Sequence, residues 1–388
     1  MHNNNRPSKP KVGLIMTGGG ARAAYQVGVL RAISDLLPRE VRSPFPIICG
    51  TSAGAINAAV LAAEASDFRR GVRRLMTVWK NVHVHHIYRS DPIGVIRNSS
   101  RWIFNGFTGG AVTRSPVSLL DNSPLAALLS RYLDFAAIQR GIDDGDLAAF
   151  SVTCSGYTSG QSVTFFQGRP ELQPWRRARR IGIAMPIEIE HLMASSALPF
   201  IFSPVRINRE YFGDGSMRQI APVSPALHLG ADRLLVIGVG HQLQQHPNER
   251  VMVDTHPSLA QIAGHALNSI FLDSLEVDLE RLQRINRTIE IIPREILEKT
   301  GYPLHRVDFR LLSPSVELEK IAAVYAGDLP RAIRVLLYMV GALKRSGSNL
   351  LSYVLFEKSY SRALIRLGYE DTMERKDDLL AFLGYEKR

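Results

Sequence analysis

The chain has 388 residues, 45% of them hydrophobic and 21% charged, a balance that excludes a disordered or low-complexity protein and is ample for a sizeable core. The formal net charge of +11, mostly arginine, favours acidic partners such as an anionic membrane surface or a phosphorylated substrate without choosing among them. Two cysteines exclude a disulfide framework and fit a reducing compartment, and no run reaches the roughly 18 apolar residues of a membrane span, so a soluble, cytoplasmic protein is predicted.

Residues 1–10 are polar and Pro-containing and read as a disordered lead. The apolar run 11–16 reads as a buried strand, and Thr17-Gly18-Gly19-Gly20-Ala21-Arg22 is a glycine-rich turn. Tyr25, Val29, Ile33 and Leu36 recur at helical spacing, so 23–37 is predicted as a helix stopped by Pro38. A second buried strand, 45–49, runs into Gly50-Thr51-Ser52-Ala53-Gly54, and 53–65 is helix-forming. This alternation of strand and helix is that of an α/β fold with a parallel sheet.

Residues 67–81 form a basic amphipathic helix with Arg69, Arg70, Arg73 and Arg74 on its polar face, read as solvated, with headgroup contact as the lesser alternative. His83, His85 and His86 follow, but no Cys, Asp or Glu nearby completes a ligand set, so no metal is predicted. In 99–116, Trp102, Phe104 and Phe107 alternate with glycines and arginines, suited equally to a lipid interface or to plugging the surface. A short helix at 121–133 precedes a strand pair, 149–157 and 162–167, joined through Thr158-Ser159-Gly160. The run WRRARR at 175–180 is the most basic, yet no nucleic-acid module accompanies it, so it reads as phosphate-facing or solvated and no nucleic-acid partner is predicted. A helix at 191–198 ends at Pro199, and 200–202 and 205–207 are strand-like. Tyr211-Phe212 closes a strand and Gly213-Asp214-Gly215 makes a tight turn with the acid at its apex. A strand at 233–239, a helix over 257–285 and one further strand at 288–292 follow. From 316 onward the pattern is helical only, which suggests a main domain over 11–310 and a helical C-terminal extension over 311–388.

Three glycine-centred turns thus follow three strands, at the carboxyl edge where open α/β sheets place their reaction sites. G-x-S-x-G between a strand and a helix holds a serine on a sharp turn at a helix N-terminus, where developing negative charge is favoured. That makes Ser52 a candidate nucleophile; the bland alternative is that Thr51 or Ser52 merely caps the helix. The N–H groups of Gly18, Gly19 and Gly20 can converge on an oxyanion, and Arg22 could reinforce that loop or meet a phosphate.

In this order, G-G-G-x-R, G-x-S-x-G and D-G-x resemble the motifs of the bacterial patatin-like phospholipases, and ASSALPFIF at 194–202 resembles the segment those proteins carry before their aspartate. The resemblance covers 11–310, and the tail is similar to that of some members. It implies a three-layer α/β domain with a mostly parallel central sheet. It also implies a serine–aspartate dyad without histidine: Ser52 as nucleophile, Asp214 as base, Gly18, Gly19, Gly20 and Arg22 as the oxyanion loop, and Gly50, Gly54 and Gly215 supporting the turns. The implied reaction is hydrolysis of phospholipids or other acyl-ester lipids, with no cofactor; the basic surface and the 99–116 stretch suggest transient contact with anionic lipid at the inner face of the membrane, and a homo-oligomer is left open. Ala23 and Ser216 depart from the family pattern, each standing where a smaller or equally small residue is usual. A carboxylate of ordinary pKa, about 3.9, is a weak base, so Asp214 needs partial desolvation.

Three rivals stand beside this reading. Gly18, Gly20 and Ala23 satisfy a dinucleotide fingerprint, but the second strand ends in Cys49-Gly50-Thr51-Ser52 instead of an acidic residue. A histidine-dependent serine esterase or acyltransferase could use His191, His228, His241, His246, His256, His265 or His305. A lipid-binding protein with a vestigial site is the third.

Overall fold

The first strand, β1 (Val12–Met16), is apolar throughout because both of its faces are covered. It lies at the centre of a parallel run in the order β10 (Asp308–Leu312), β9 (Arg233–Ile237), β1, β2 (Ile47–Thr51) and β3 (Ala149–Gly156). Beyond β3 the direction reverses: β4 (Ser162–Gly168) pairs antiparallel with β3, then come β6 (Arg180–Ala184) and the edge strand β5 (Trp175–Arg177). A hairpin of β7 (Val205–Ile207) and β8 (Glu210–Asp214) joins the free part of β3. The computed structural model describes residues 10–91, 94, 118–241, 256, 258–299, 305–343 and 347–385. Residues 1–9 of the expected lead and the aromatic stretch 99–116 lie outside them.

Alternation along the strands builds three layers. Leu14, Met16, Ile48, Val152, Leu235 and Ile237 face one core, covered by the helices Ala24–Leu36, Ala53–Ala63 and Phe68–Lys80. Ile15, Ile47, Cys49, Leu234 and Val236 face the other, covered by Ser224–His228 and Ser274–Ile291. Both cysteines are buried as free thiols, and burial pushes Cys49 up to about 12, as expected for a packing residue.

The C-terminal helices share the first core. Tyr353, Leu364, Ile365 and Phe382 are buried in the same cluster as Leu14 and Tyr25. Helix Lys358–Glu374 lies against Ala24–Leu36 so closely that a Cβ on Gly28 or Gly368 would strike the carbonyl oxygen of Ile365 or Tyr25. The expected boundary at 310 falls inside β10, a strand the sequence pattern did not reveal. Residues 288–292, expected as a strand, are instead the end of helix Ser274–Ile291 and the residue after it. Thr288, Ile289 and Ile291 carry strand propensity, but the buried stripe Leu275, Leu279 and Leu282 carries the helix onward and leaves Ile291 82% exposed. WRRARR, expected only as a basic run, makes the tight β5–β6 hairpin, with Arg179 at φ 58 in the turn.

Candidate active site

The chain leaves β2 through Ser52, whose φ of 55° and ψ of −134° lie where a side chain is strained, at a typical cost of about 1–3 kcal/mol. Several contacts hold it there. The Ser52 N–H donates to Ser195 Oγ at 2.8 Å, and that hydroxyl donates to the Thr153 carbonyl at 2.6 Å. A Cβ on Gly54 would strike the carbonyls of Met16 and Thr17, and one on Gly50 would strike the Ala55 backbone, so both glycines of the pentapeptide are sterically required. The Ser52 side chain makes no capping hydrogen bond to helix Ala53–Ala63, which disposes of the helix-cap alternative for that hydroxyl.

Strand β3 works as a ruler that delivers Asp214 to the serine. Its pairing with β2 ends at Thr153 opposite Thr51, and its next residue, Cys154, pairs with Asp214 of β8. The acid therefore enters where β2 leaves, beside the turn that carries Ser52. Its N–H donates to the Ala197 carbonyl at 2.9 Å. Asp214 is fully buried; one carboxylate oxygen accepts from the Ser216 N–H at 3.0 Å, and the other has no hydrogen-bond partner among the described residues. Burial pushes the carboxyl up to about 6, while the Ser52 hydroxyl and the Ser216 N–H and hydroxyl pull it partly back. That upward shift is in the direction a carboxylate base would need. Gly215 passes so close to the Thr153 carbonyl that only hydrogen fits there.

The glycine-rich turn closes the third side. A Cβ on Gly18 would come within 2.8 Å of Ser52 Cβ and 2.6 Å of both Ser216 Oγ and Phe271 Cε1. The N–H groups of Gly18 and Gly19 make no hydrogen bond among the described residues and remain available as donors. Gly20, at φ 54°, abuts the Tyr353 carbonyl. Arg22 is buried and its guanidinium is turned into the C-terminal region: it donates to Ser352 Oγ at 2.8 Å and Asn349 Oδ1 at 2.9 Å, pairs with Glu319 at 3.5 Å and lies 4.1 Å from the Tyr353 ring centroid. Of the expected oxyanion residues, Gly18 lies against the serine, Gly19 packs against Val239, Gly20 lines the same cavity as Ser52, and Arg22 anchors their loop to the tail. Ala23 is fully buried and its carbonyl accepts from Asn57, so the departure from glycine there is accommodated.

Ser52 also stands at the head of an apolar cavity. Its walls include Ile56 and Val60 of the following helix, Trp79, Leu129, Phe202 and Phe356. The segment ASSALPFIF ties the parts together: Ser195 holds the Ser52 amide, Ser196, Leu198 and Phe202 line the cavity, and Ala197 holds the Asp214 amide. Ser195 was not singled out in the sequence, since a serine inside a short helix carries no pattern of its own.

Three of the histidine rivals have hydrogen-bond partners other than Ser52. His191 Nδ1 accepts from the Glu188 N–H, while His228 and His241 bond Ser224 and Pro314; His246 lies outside the described residues. His83 pairs with Glu357 at 2.7 Å, and among the described residues no cluster of His, Cys, Asp or Glu could hold a metal ion.

A family model described as patatin-like phospholipase matches residues 14–227. Over 51 residues the chain is 47% identical to the cGAMP-activated phospholipase of Pseudomonas aeruginosa (strain BWHPSA011 / Pa011), which is 13% of this chain and 15% of that protein. Over 54 residues it is 48% identical to lysophospholipase nte1 of Aspergillus terreus, 14% of this chain and 3% of that one. A longer match, 25% identical over 234 residues, covers 60% of this chain and 53% of the uncharacterized protein YjjU of Escherichia coli. The chain thus spans 53% or less of each of these relatives. Among solved structures, human GIVD cytosolic phospholipase A2 aligns with a TM-score of 0.45 at 13% identity, over 97% of this chain and 60% of that one. VipD from Legionella pneumophila aligns with a TM-score of 0.36 at 12% identity, over 95% and 67%.

Proposed function

The chain belongs to the patatin-like phospholipase family, and we propose that it hydrolyses acyl esters of phospholipids or lysophospholipids through an acyl-enzyme on Ser52. The observation that carries this reading is one juxtaposition: a serine held in a strained turn, beside a fully buried carboxyl with a free oxygen, at the head of an apolar cavity.

In this mechanism Ser52 Oγ attacks the ester carbonyl carbon and its proton passes to Asp214. The oxyanion is received by the N–H groups of Gly18 and Gly19 and by the N-terminal end of helix Ala53–Ala63. One such donor is worth about 2.7–4 kcal/mol in the transition state. Collapse of the tetrahedral intermediate expels the alcohol half of the lipid, which takes its proton from Asp214. Water then attacks the acyl-enzyme with Asp214 again as base, the ester bond to Ser52 Oγ breaks, Ser52 takes the proton back from Asp214, and the fatty acid leaves. The apolar cavity takes the acyl chain and excludes water from the carboxyl, which keeps Asp214 basic.

The reading extends to place. Two buried free cysteines suit the cytoplasm, and the exposed arginines would bring the enzyme transiently to anionic lipid at the inner face of the membrane. No helix among the described residues is long and apolar enough to cross a membrane.

The test is intact-mass analysis after reaction with a fluorophosphonate. One adduct is expected on the wild type, none on Ser52→Ala, and a slowed one on Asp214→Asn. A folded wild type that stays unlabelled with vesicles present would point to a lipid-binding protein without catalysis.

A further inference from the structure

The cavity at Ser52 runs along the helix that follows the serine. Ser52, Ile56 and Val60 are spaced four residues apart, so they stack along one face of helix Ala53–Ala63, and at 1.5 Å per residue Val60 stands about 12 Å beyond the serine. The next position on that face, Glu64, is of another kind. Its carboxylate is 6% exposed and is held by Arg70 at 3.2 Å and by Arg74. The apolar stripe therefore ends in a cluster of charges.

Opposite Val60 the end wall is completed by Val78 and Tyr132. These three side chains line the serine's cavity and also a second depression walled by Arg70, Arg73, Arg74 and Thr77. They form a thin partition, apolar toward Ser52 and facing guanidinium groups on its far side. Arg74 fixes the partition from behind by donating to the Tyr132 carbonyl and pairing with Glu64.

We infer that this partition is an acyl-chain ruler, with Val60 as the residue that sets the length. The inference rests on the acyl-hydrolase reading of Ser52. An extended alkyl chain advances about 1.25 Å per carbon, so 12 Å of helix accommodates about ten carbons. Up to that length each added methylene leaves water for an apolar wall, which is worth about fourfold in kcat/KM. Beyond it, the chain must displace Val60 or Tyr132 and bring its end among charges that burial of a methyl group does not stabilise. The preferred substrates are accordingly esters of medium-chain acids.

The experiment is a chain-length series of monomeric p-nitrophenyl esters, from butanoate to hexadecanoate, on the full chain. Each enzyme's kcat/KM values are normalised to its own butanoate value, so that only the position of the maximum is read. The wild-type maximum is expected near ten carbons. In Val60→Phe it should fall by about one helical turn, to near six carbons, because the wall moves back to Ile56. In Val60→Ala the partition is breached, and the maximum should move to longer chains; this smaller change keeps the test alive if the larger side chain prevents folding. A wild-type maximum at hexadecanoate, or the same profile in the folded variants as in the wild type, overturns the ruler while leaving the esterase reading intact. Absence of butanoate hydrolysis by folded wild type overturns the esterase reading and the ruler with it.

Discussion

In the proposed mechanism Asp214 serves as a base because it is buried, and the same burial makes it a liability. Its carboxyl, near 6 in the folded chain, titrates near 3.9 when unfolded, so the folded state binds the proton more tightly between those values. Stability conferred by the protonated acid is present below about pH 4 and is lost as pH rises through about 6. The difference of about two pH units corresponds to about 3 kcal/mol at neutral pH. Asp214→Asn removes that cost. Its unfolding free energy in urea should match the wild type near pH 4 and exceed it at pH 8 by up to about 3 kcal/mol, while its esterase activity falls. For the wild type, kcat/KM should drop about tenfold per pH unit below 6, since the ionised acid is the base. A pH profile flat from 5 to 8 would remove Asp214 from that role. Ser52 and Asp214 were legible in the sequence because each sits among glycines that the backbone requires. Ser195 was not, because its duty, one hydrogen bond to the Ser52 amide, depends on a helix placed 143 residues away. Arg22 was legible as a motif member, but the direction of its guanidinium depends on tail residues that no local pattern ties to it.

Among the elements, helix Ala24–Leu36 does more than cover the sheet. Arg69 of the neighbouring helix donates to the carbonyls of Ser34 and Leu37 at its C-terminal end, at 2.9 and 2.6 Å, supplying a cap. On its other side the Gly28 and Gly368 contacts bring the tail helix to backbone distance. The glycine-rich turn is continuous with this helix and touches the tail through Gly20 and Arg22, so in the proposed mechanism the tail would help to position the oxyanion donors. Gly368→Val would push a side chain against the Tyr25 carbonyl, and overpacking of this kind costs about 1–3 kcal/mol. The expected result is a lower denaturation midpoint together with slower fluorophosphonate labelling. Full labelling rate in a destabilised Gly368→Val would show that the tail supports the fold without steering the loop. The helices of the tail were legible from their 3.6-residue periodicity, and β1, β2 and the elbow from continuous apolar runs bounded by glycine. What escaped was set by pairing. Strand β10 is half-buried, and its DFRLL reads as nothing in particular until β9 lies beside it. Residues 288–291 have strand-forming side chains yet stay helical because the buried face of their own helix starts far upstream.

At the scale of the molecule, part of the positive charge gathers at one end of the sheet. The last residue of β3 to pair, Gly156, meets Phe212, so the tip of the β7–β8 hairpin extends past the carboxyl end of the sheet, the end that carries Ser52. The β5–β6 turn reaches the same end, because Arg180 pairs with Ser162 and Ser162 with Ser155. Arg176, Arg177, Arg179, Arg206, Arg209 and Arg218 are exposed on these turns and make no ion pair among the described residues. Apolar side chains stand among them: Phe200 is 79% exposed at a φ of 66°, between Leu198 and Phe202 of the cavity wall, and Ile220 is 54% exposed. Unpaired arginines beside exposed apolar groups suit an anionic bilayer, where each basic residue near the surface contributes about 1 kcal/mol and the apolar tips enter the headgroup region. Binding to vesicles containing phosphatidylserine should therefore exceed binding to phosphatidylcholine alone and weaken as salt is raised from 0.05 to about 0.5 M, since the Debye length shrinks several-fold over that range. Arg206→Glu with Arg209→Glu should reduce the salt-sensitive part, and Phe200→Ser the part that survives high salt. The two components separate because charge is screened and burial is not. Equal binding to both vesicle types at all salt concentrations would assign the positive charge to solubility and leave the cavity to meet its lipid by burial alone.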